Sequence, residues 1–368
     1  MHQIRKVDDM TKIAMIADTH FGVRNDSPVF HEYFRKSLKY FVEYLEKENI
    51  KHVIHLGDLF DRRKYLSYLT SSVSRSEFLI PLNEMDIETH IIAGNHDHYY
   101  TNTYEVNSLD EVVGNRYPNI KTYNTPHEIN IDGLDILLLP WINAANKDES
   151  VEMIQSTKAQ VVMGHLELNG FQMYRGVTSD HGDDTKLYDK FDLVFTGHYH
   201  HKSSTNNIHY IGAFAEYTWA DYNDPRGFTI LDTETREFTF IRNPYSIFMM
   251  MSYDDVKHPD IIQKIQNTDY SKYKDAYVKV LCMKKENQYA FDLLLDKLYK
   301  AGTIDISIIE DVSLLIDNDE TETIDQVQDT PTILSNYIKN LTLTVDNDKM
   351  ISFMRDIYSE ALTMEHIE

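Results

Sequence analysis

The sequence predicts an α/β catalytic core followed by two smaller C-terminal additions, and three observations carry that prediction. Short apolar, β-branched runs alternate with longer amphipathic stretches from residue 1 to about 245, the pattern of strands layered with helices. After Pro244 a second, shorter alternation runs to Ile316. Beyond it, DNDETETIDQVQDT at 317–330 is polar, acidic and free of aromatics, which reads as a flexible linker. A chain of 368 residues also exceeds the usual size of one domain.

In the core, helices are expected at 28–48, 66–85 and 148–157. Strands are expected at 12–17, 52–56, 88–92, 134–139, 159–163, 192–196 and 208–212, and at 227–241 broken by a turn. The second unit, 246–316, shows a strand at 276–282, a helix at 287–300 and a strand at 304–310, a small α+β module. Residues 331–368 turn apolar and periodic again, through Ile333, Leu334, Tyr337, Leu341, Phe353, Met354, Ile357 and Tyr358. Two helices this short rely on packing against something else.

Composition narrows the function. Cys282 is the only cysteine, which excludes a disulfide framework and any thiolate cluster and suits a reducing compartment. No apolar run approaches the roughly 20 residues that cross a bilayer, and MHQIRKVDDMTK has no signal-peptide core, so a cytoplasmic protein is expected. The formal charge of −23 opposes generic binding to polyanions. A nucleic-acid substrate would need metal ions, a basic partner, or local cations such as Arg24, Arg62, Arg63, Lys64 and Arg175 to overcome it.

The chemistry appears as one event repeated five times. IAMIA ends in Asp18-Thr19-His20, VIHL in Gly57-Asp58, HIIA in Gly94-Asn95-His96, VVM in Gly164-His165, and LVFT in Gly197-His198-Tyr199-His200. Each apolar run delivers a metal-competent side chain at its C-terminal end, the edge where ligands gather in an open α/β sheet. Strand alternation would let Asp18 and His20, and likewise His198 and His200, aim as pairs at one point. Carboxylate, amide and imidazole without thiolate suit manganese, magnesium, iron or zinc, with manganese preferred. Asp58, bridging, would complete two ion sites of the kind that drive in-line phosphoryl displacement. A lone DxH or GH is common and means nothing by itself. The ordered set DxH, GDxxD, GNHD, GH, GHxH is specific. His55 reads as a core residue, and His98, His181 and His201 as residues lining or flanking the site.

Those motifs resemble the five signatures of calcineurin-like metallophosphoesterases, over about the first 245 residues. DTHFG, GDLFD, GNHD, GHLEL and TGHYHH, with YIGAF at 210–214 and the order of domains, resemble more narrowly the SbcD-type nuclease subunit of double-strand-break repair complexes, in the version carried by tailed phages. The resemblance implies a layered β-sandwich flanked by helices. It implies one ion on Asp18, His20, Asp58 and His200, a second on Asp58, Asn95, His165 and His198, and His96 free for catalysis. Cellular members often carry histidine at the position of Asp61; phosphatase relatives carry aspartate there, orienting the GNH histidine, so an Asp61–His96 dyad is expected. Arg62, with Arg24, would bind substrate phosphate. Double-stranded DNA ends and single-stranded DNA are the implied substrates. The implied partners are a coiled-coil SbcC-type ATPase docked through 331–368 and a second copy of the chain. Residues 246–316 would cap the site. A phosphomonoesterase or protein phosphatase is the alternative within the superfamily, although GDLFDRR and GNHD depart from the usual GDxxDRG and GNHE. A metal-free binding scaffold is the alternative from another class, and such scaffolds lose ligands that this chain retains.

Overall fold

The computed structural model describes residues 11–310 together with Ile338, Lys349, Met350, Ile351 and Met354. The linker expected at 317–330 and, those five positions aside, the docking helices expected at 331–368 lie outside the described residues. The chain divides into two compact units, Met1–Tyr217 with Asp224–Tyr245, and Thr218–Asn223 with Ser246–Glu368.

In the first unit, strands β1 (Lys12–Ile16), β2 (His52–His55), β3 (Glu88–Ile92), β4 (Ile120–Tyr123), β5 (His127–Ile131), β6 (Leu134–Leu139) and β7 (Val161–His165) precede a small hairpin of β8 (Gln172–Tyr174) and β9 (Val177–Thr178). Strands β10 (Leu193–Gly197), β11 (Ser203–Thr205), β12 (Ile208–Tyr210), β13 (Gly227–Asp232) and β14 (Phe238–Arg242) complete it. They form two six-stranded sheets, ordered β14-β13-β1-β2-β3-β4 and β11-β12-β10-β7-β6-β5. Strands β1 to β4 are parallel in one sheet, and β6, β7, β10 and β12 in the other. Antiparallel strands β13 and β14 flank one end of the first sheet, whose other edge is the parallel β4, and antiparallel β5 and β11 form both edges of the second.

Why the central strands read as unbroken apolar runs is visible in where their alternate residues go. Leu134, Ile136 and Leu138 of β6, Val161 and Met163 of β7 and Phe195 of β10 meet Ile13, Met15, Ile54 and Leu231 from the opposite sheet. The intervening Leu137, Leu139, Val162 and Val194 face outward, against Ile154 of the Lys147–Ser156 helix and Tyr188. With both faces covered, no polar alternation is possible. On the other sheet the Pro28–Lys47 helix buries Phe30, Phe34, Leu38, Phe41 and Leu45 along one stripe, and the Phe41 ring lies 4.8 Å from that of Phe228 on β13.

The helix expected at 66–85 forms with a wide turn inside it. Tyr68–Ser74 and Ile80–Glu84 are α-helical, and Arg75–Leu79 is a π-turn in which the Ile80 N–H reaches back five residues to the Arg75 carbonyl. Pro81 follows with no N–H of its own to place in the ladder.

The second unit is a three-stranded parallel sheet, β15 (Phe248–Asp254), β16 (Tyr277–Lys284) and β17 (Asp305–Ile309), joined through helices Ile261–Asn267 and Gln288–Ala301. Strand β15 and the first helix add to the strand–helix–strand unit expected from sequence, so strands and helices alternate throughout. Val278, Val280 and Cys282 meet Phe291, Leu294 and Leu298 in its core. Thr218–Asn223, expected within the 1–245 domain, groups here because Trp219 stacks 4.8 Å from Phe248 and lies under the Lys279 ammonium at 4.1 Å. Among the described residues no helix is long and apolar enough to cross a membrane.

Candidate metal centre

All five motifs meet at one edge of the first unit, but not as alternating strand residues. Strand β1 ends at Ile16 and β10 at Gly197, before the side chains they deliver. Asp18 (φ 51°), His20 (φ 44°), Asp58 (φ 54°) and His198 (φ 86°) all take the left-handed region. This corrects the strand-alternation argument. The paired ligands are aimed by turns that cost of order 1–3 kcal/mol each and persist only because the surroundings over-determine them.

Interlocking hydrogen bonds supply that constraint. The β1–β2 pairing continues past both strands, with Asp18 N–H donating to Gly57 O at 3.0 Å, His20 N–H to Asp58 O at 3.1 Å and Phe21 N–H to Leu59 O at 2.9 Å. The His198 N–H donates to the Asp18 carboxylate at 3.1 Å, and the His96 N–H to Asp58 Oδ1 at 2.8 Å. Glycine is required where the loops touch. A Cβ on Gly57 would enter the His165 ring, and one on Gly94 would strike the carboxylate and backbone nitrogen of Asp58.

The donor atoms form two adjoining groups, Asp18 with His20 and His200, and Asp18 with Asp58 and His165. His20 Nε2 and His200 Nε2 stand 3.1 Å apart, with an Asp18 oxygen in the same group. Asn95 Oδ1 lies 3.0 Å from both His165 Nε2 and His198 Nδ1. Asp58 Oδ2 sits between them, 3.7 Å from His20 Nε2 and 3.4 Å from His165 Nε2. Two neighbouring ligands at about 2.1 Å from one ion are roughly 3 Å apart, so these separations fit ion coordination. His165 donates its Nδ1–H to the Leu56 carbonyl at 2.7 Å, which leaves Nε2 as the lone-pair atom turned into the group.

The electrostatics point the same way. Burial pushes the Asp18 carboxyl up to about 7. Burial also favours neutral Asp58, but His165 and His96 outweigh it and hold the carboxyl well below its usual range. Burial would lower His165, yet Asp58 and then Asp18 bring it up to about 9. Burial keeps His20 and His198 well below theirs. Two buried carboxylates thus draw positive charge toward the group, on to His165 in particular, while His20 and His198 stay neutral, and a divalent cation would satisfy the same demand.

His96 is placed differently. It donates from Nδ1 to the backbone carbonyl of Asp61 at 2.6 Å, with its ring centroid 4.9 Å from that of His20. The Asp61–His96 pairing expected from sequence is thus seen at the Asp61 main chain, while Asp61 Oδ1 lies 3.8 Å from His20 Nδ1. The half-buried Arg62 guanidinium lies 4.7 Å over the Tyr65 ring, and its Nε and Nη2 have no hydrogen-bond partner among the described residues. Arg24 donates from Nε to the Tyr217 carbonyl at 3.0 Å, so part of it is structural. His55 is buried and paired with Thr19 Oγ1 at 3.0 Å, a core residue as expected. His201 is held by Asp224 at 2.9 Å, and His181 is exposed beside Asp180.

Three supports escaped the sequence reading. The buried Asp97 carboxylate accepts from the N–H groups of Gly94, Leu59 and Phe60 and from Ser108 Oγ, tying the GDLF loop to the GNHD loop. Its place after GNH was the available signal. Tyr217 donates to the Asp18 carbonyl, and its ring lies 5.4 Å from both His20 and His200. Arg226 donates to the His200 carbonyl and pairs with Asp224 at 3.0 Å. Nothing local in the sequence marks the last two.

A family model described as "Calcineurin-like phosphoesterase" matches residues 11–202, which contain every donor described above. The chain belongs to the calcineurin-like phosphoesterase family. Over 353 residues it is 31% identical to "Exonuclease subunit 1" of Enterobacteria phage T4, covering 95% of this chain and 99% of that relative. It is 24% identical to the SbcD subunit of the SbcCD nuclease of Staphylococcus epidermidis, over 94% of this chain and 99% of the relative. With the SbcD subunit of Staphylococcus saprophyticus it shares 23%, over 92% and 96%. In this phosphoesterase, then, the paired sheets carry a cluster of Asp, His and Asn donors suited to two ions, and the similarity to nuclease subunits runs through the regions beyond the family model.

Proposed function

We propose that this calcineurin-like phosphoesterase is a dimetal-dependent DNA nuclease, acting with a coiled-coil ATPase in recombination and double-strand-break repair. One observation carries the reading: two adjoining donor groups with Asp58 between His20 and His165 and His96 beside them, in a chain similar over its length to nuclease subunits. Asp18, His20, Asp58 and His200 hold one ion, and Asp58, Asn95, His165 and His198 the other. The nitrogen-rich set favours Mn2+, with Mg2+ the alternative. When bound, the pair supplies Lewis acidity and a nucleophilic water at neutral pH.

The side chains do the rest. The Asp61 carbonyl fixes the proton on His96 Nδ1, so Nε2 is the atom that gives or takes a proton at the leaving oxygen. Arg62, stacked on Tyr65, neutralises substrate phosphate. Asp97 keeps the Asp58 and Asn95 loops in register. A scaffold reading fails to explain why every donor position is filled.

Residues 331–368 would dock the ATPase, and the acidic charge of −23 gives DNA binding a reason to need a basic partner. A second copy would cover Tyr68 and Leu69, which are 97% and 48% exposed. The cytoplasm, of the host if the chain is phage-encoded, is the proposed place of action. Cleavage of linear duplex DNA and of a phosphomonoester, side by side with Mn2+ and with chelator, tests the assignment. Phosphodiester cleavage restored by Mn2+ better than by Mg2+ supports it; full activity in chelator, or the monoester alone being cleaved, overturns it. In the same assays, deleting 331–368 should abolish co-purification with the ATPase and spare basal cleavage.

A further inference from the structure

Directly after the metal-centre turn, residues 98–107 form a closed loop, HYYTNTYEVN. Its base is sealed by the antiparallel bridge His98↔Asn107 and by Tyr99 N–H donating to Val106 O at 2.9 Å. Asp97 welds that base to the centre. Its carboxylate binds Gly94, Leu59 and Phe60, while its carbonyl and carboxylate both accept from Ser108 on the returning strand. Asn107 adds bonds to Tyr104 O and Asp110. The loop is thus rigid at its root and tied to the same loops that carry Asp58, Asn95 and His96.

What this loop presents is aromatic and carries no cation. Tyr99 and Tyr100 are 36% and 51% exposed, with ring centroids 4.7 Å apart and planes at 69°. They follow His96 by three and four residues. The stretch 98–107 contains no Lys or Arg, and its one acidic residue is Glu105, so an ionic grip on phosphate is not available here. Stacking is available, because every base offers a π-face to a tyrosine ring regardless of its sequence. For a chain with a formal charge of −23, a charge-independent contact is also the kind that net repulsion does not weaken.

We propose that Tyr99 and Tyr100 form a stacking platform for an unpaired nucleobase of the DNA, holding the strand beside the metal centre. This rests on the nuclease reading. The platform favours single-stranded or frayed ends over duplex interior, since a base stacked between neighbours in a duplex shows no free face.

The test uses the full chain with Tyr99→Ala/Tyr100→Ala and Tyr99→Phe/Tyr100→Phe double variants. DNA carrying 2-aminopurine in a single-stranded end is titrated in chelator, and Mn2+-dependent cleavage of the same DNA and of bis(p-nitrophenyl) phosphate is followed. Wild type and the Phe variant should quench the fluorophore; the Ala variant should not. The Ala variant should raise KM for the DNA by about 10-fold or more, with kcat for the small phosphodiester within about 2-fold. Equal quenching and equal KM in all three proteins overturn the platform. So does an Ala variant that keeps its DNA KM but loses self-association or ATPase binding, which would make the loop a protein-docking face. If wild type cleaves no DNA, the nuclease reading fails, and the quenching comparison still decides whether the tyrosines stack a base.

Discussion

Asp58 works through both of its oxygens. Oδ1 accepts the His96 N–H at 2.8 Å, and Oδ2 faces His165 Nε2 at 3.4 Å and His20 Nε2 at 3.7 Å. Asp58→Asn keeps the shape and removes the charge that faces both His165 and His20, so ion affinity should fall by about 10- to 100-fold in a calorimetric titration. His96 belongs to neither group of close donor atoms, and its Nδ1 is committed to Asp61 O. His96→Ser should therefore bind both ions as the parent does and lose about 100- to 10,000-fold in turnover. Metal analysis finding fewer ions in the His96 variant would break this division of roles.

The strand ends act as elements, and their tolerance is set by backbone contact. Gly94 closes β3 against Asp58 so tightly that a methyl group there meets the Asp58 carboxylate and nitrogen. Gly94→Ala should displace the Asp58 loop and reduce bound metal to less than half, while far-ultraviolet circular dichroism stays that of the parent, because β3 itself is untouched. Undiminished metal content would mean the loops have slack. The elements legible in sequence were the buried ones: IAMIA, VIHL and LVFT are unbroken apolar runs because both faces of their sheets are covered. IKTY in β4 and HEINI in β5 were not recognised, since short edge strands mix polar and apolar residues without a clear period. FMMMSYD in β15 escaped for the same reason.

At the scale of the whole molecule, several histidines are stored neutral. Burial pushes His55 down to about 3, and His90 and His98 to about 4. Unfolded, each returns to about 6.5. Between pH 6.5 and 4 the unfolded chain therefore binds protons that the folded chain refuses, and stability falls as pH falls, by up to about 1.4 kcal/mol per pH unit for each group. Urea unfolding across that window should show the loss. His90→Phe keeps the stack on the Tyr123 ring, removes the 2.8 Å contact with its hydroxyl, and should flatten the slope by one proton. An unchanged slope would show that His90 already titrates normally.

The ordered motifs, each behind an apolar run, were enough to name the family and to single out the Asp, His and Asn side chains that the fold brings together, because strand burial and ligand type are local properties of sequence. The orientation of those donors was not. Asp18, His20, Asp58 and His198 are aimed by left-handed turns, and such turns hold only when loops distant in sequence hydrogen-bond to one another. For the same reason His96 rests on the Asp61 carbonyl, and Asp97, Tyr217 and Arg226 support the centre across 26 to 199 residues of chain. Which polar atom meets which is decided by packing in three dimensions, and spacing along the chain carries no record of it.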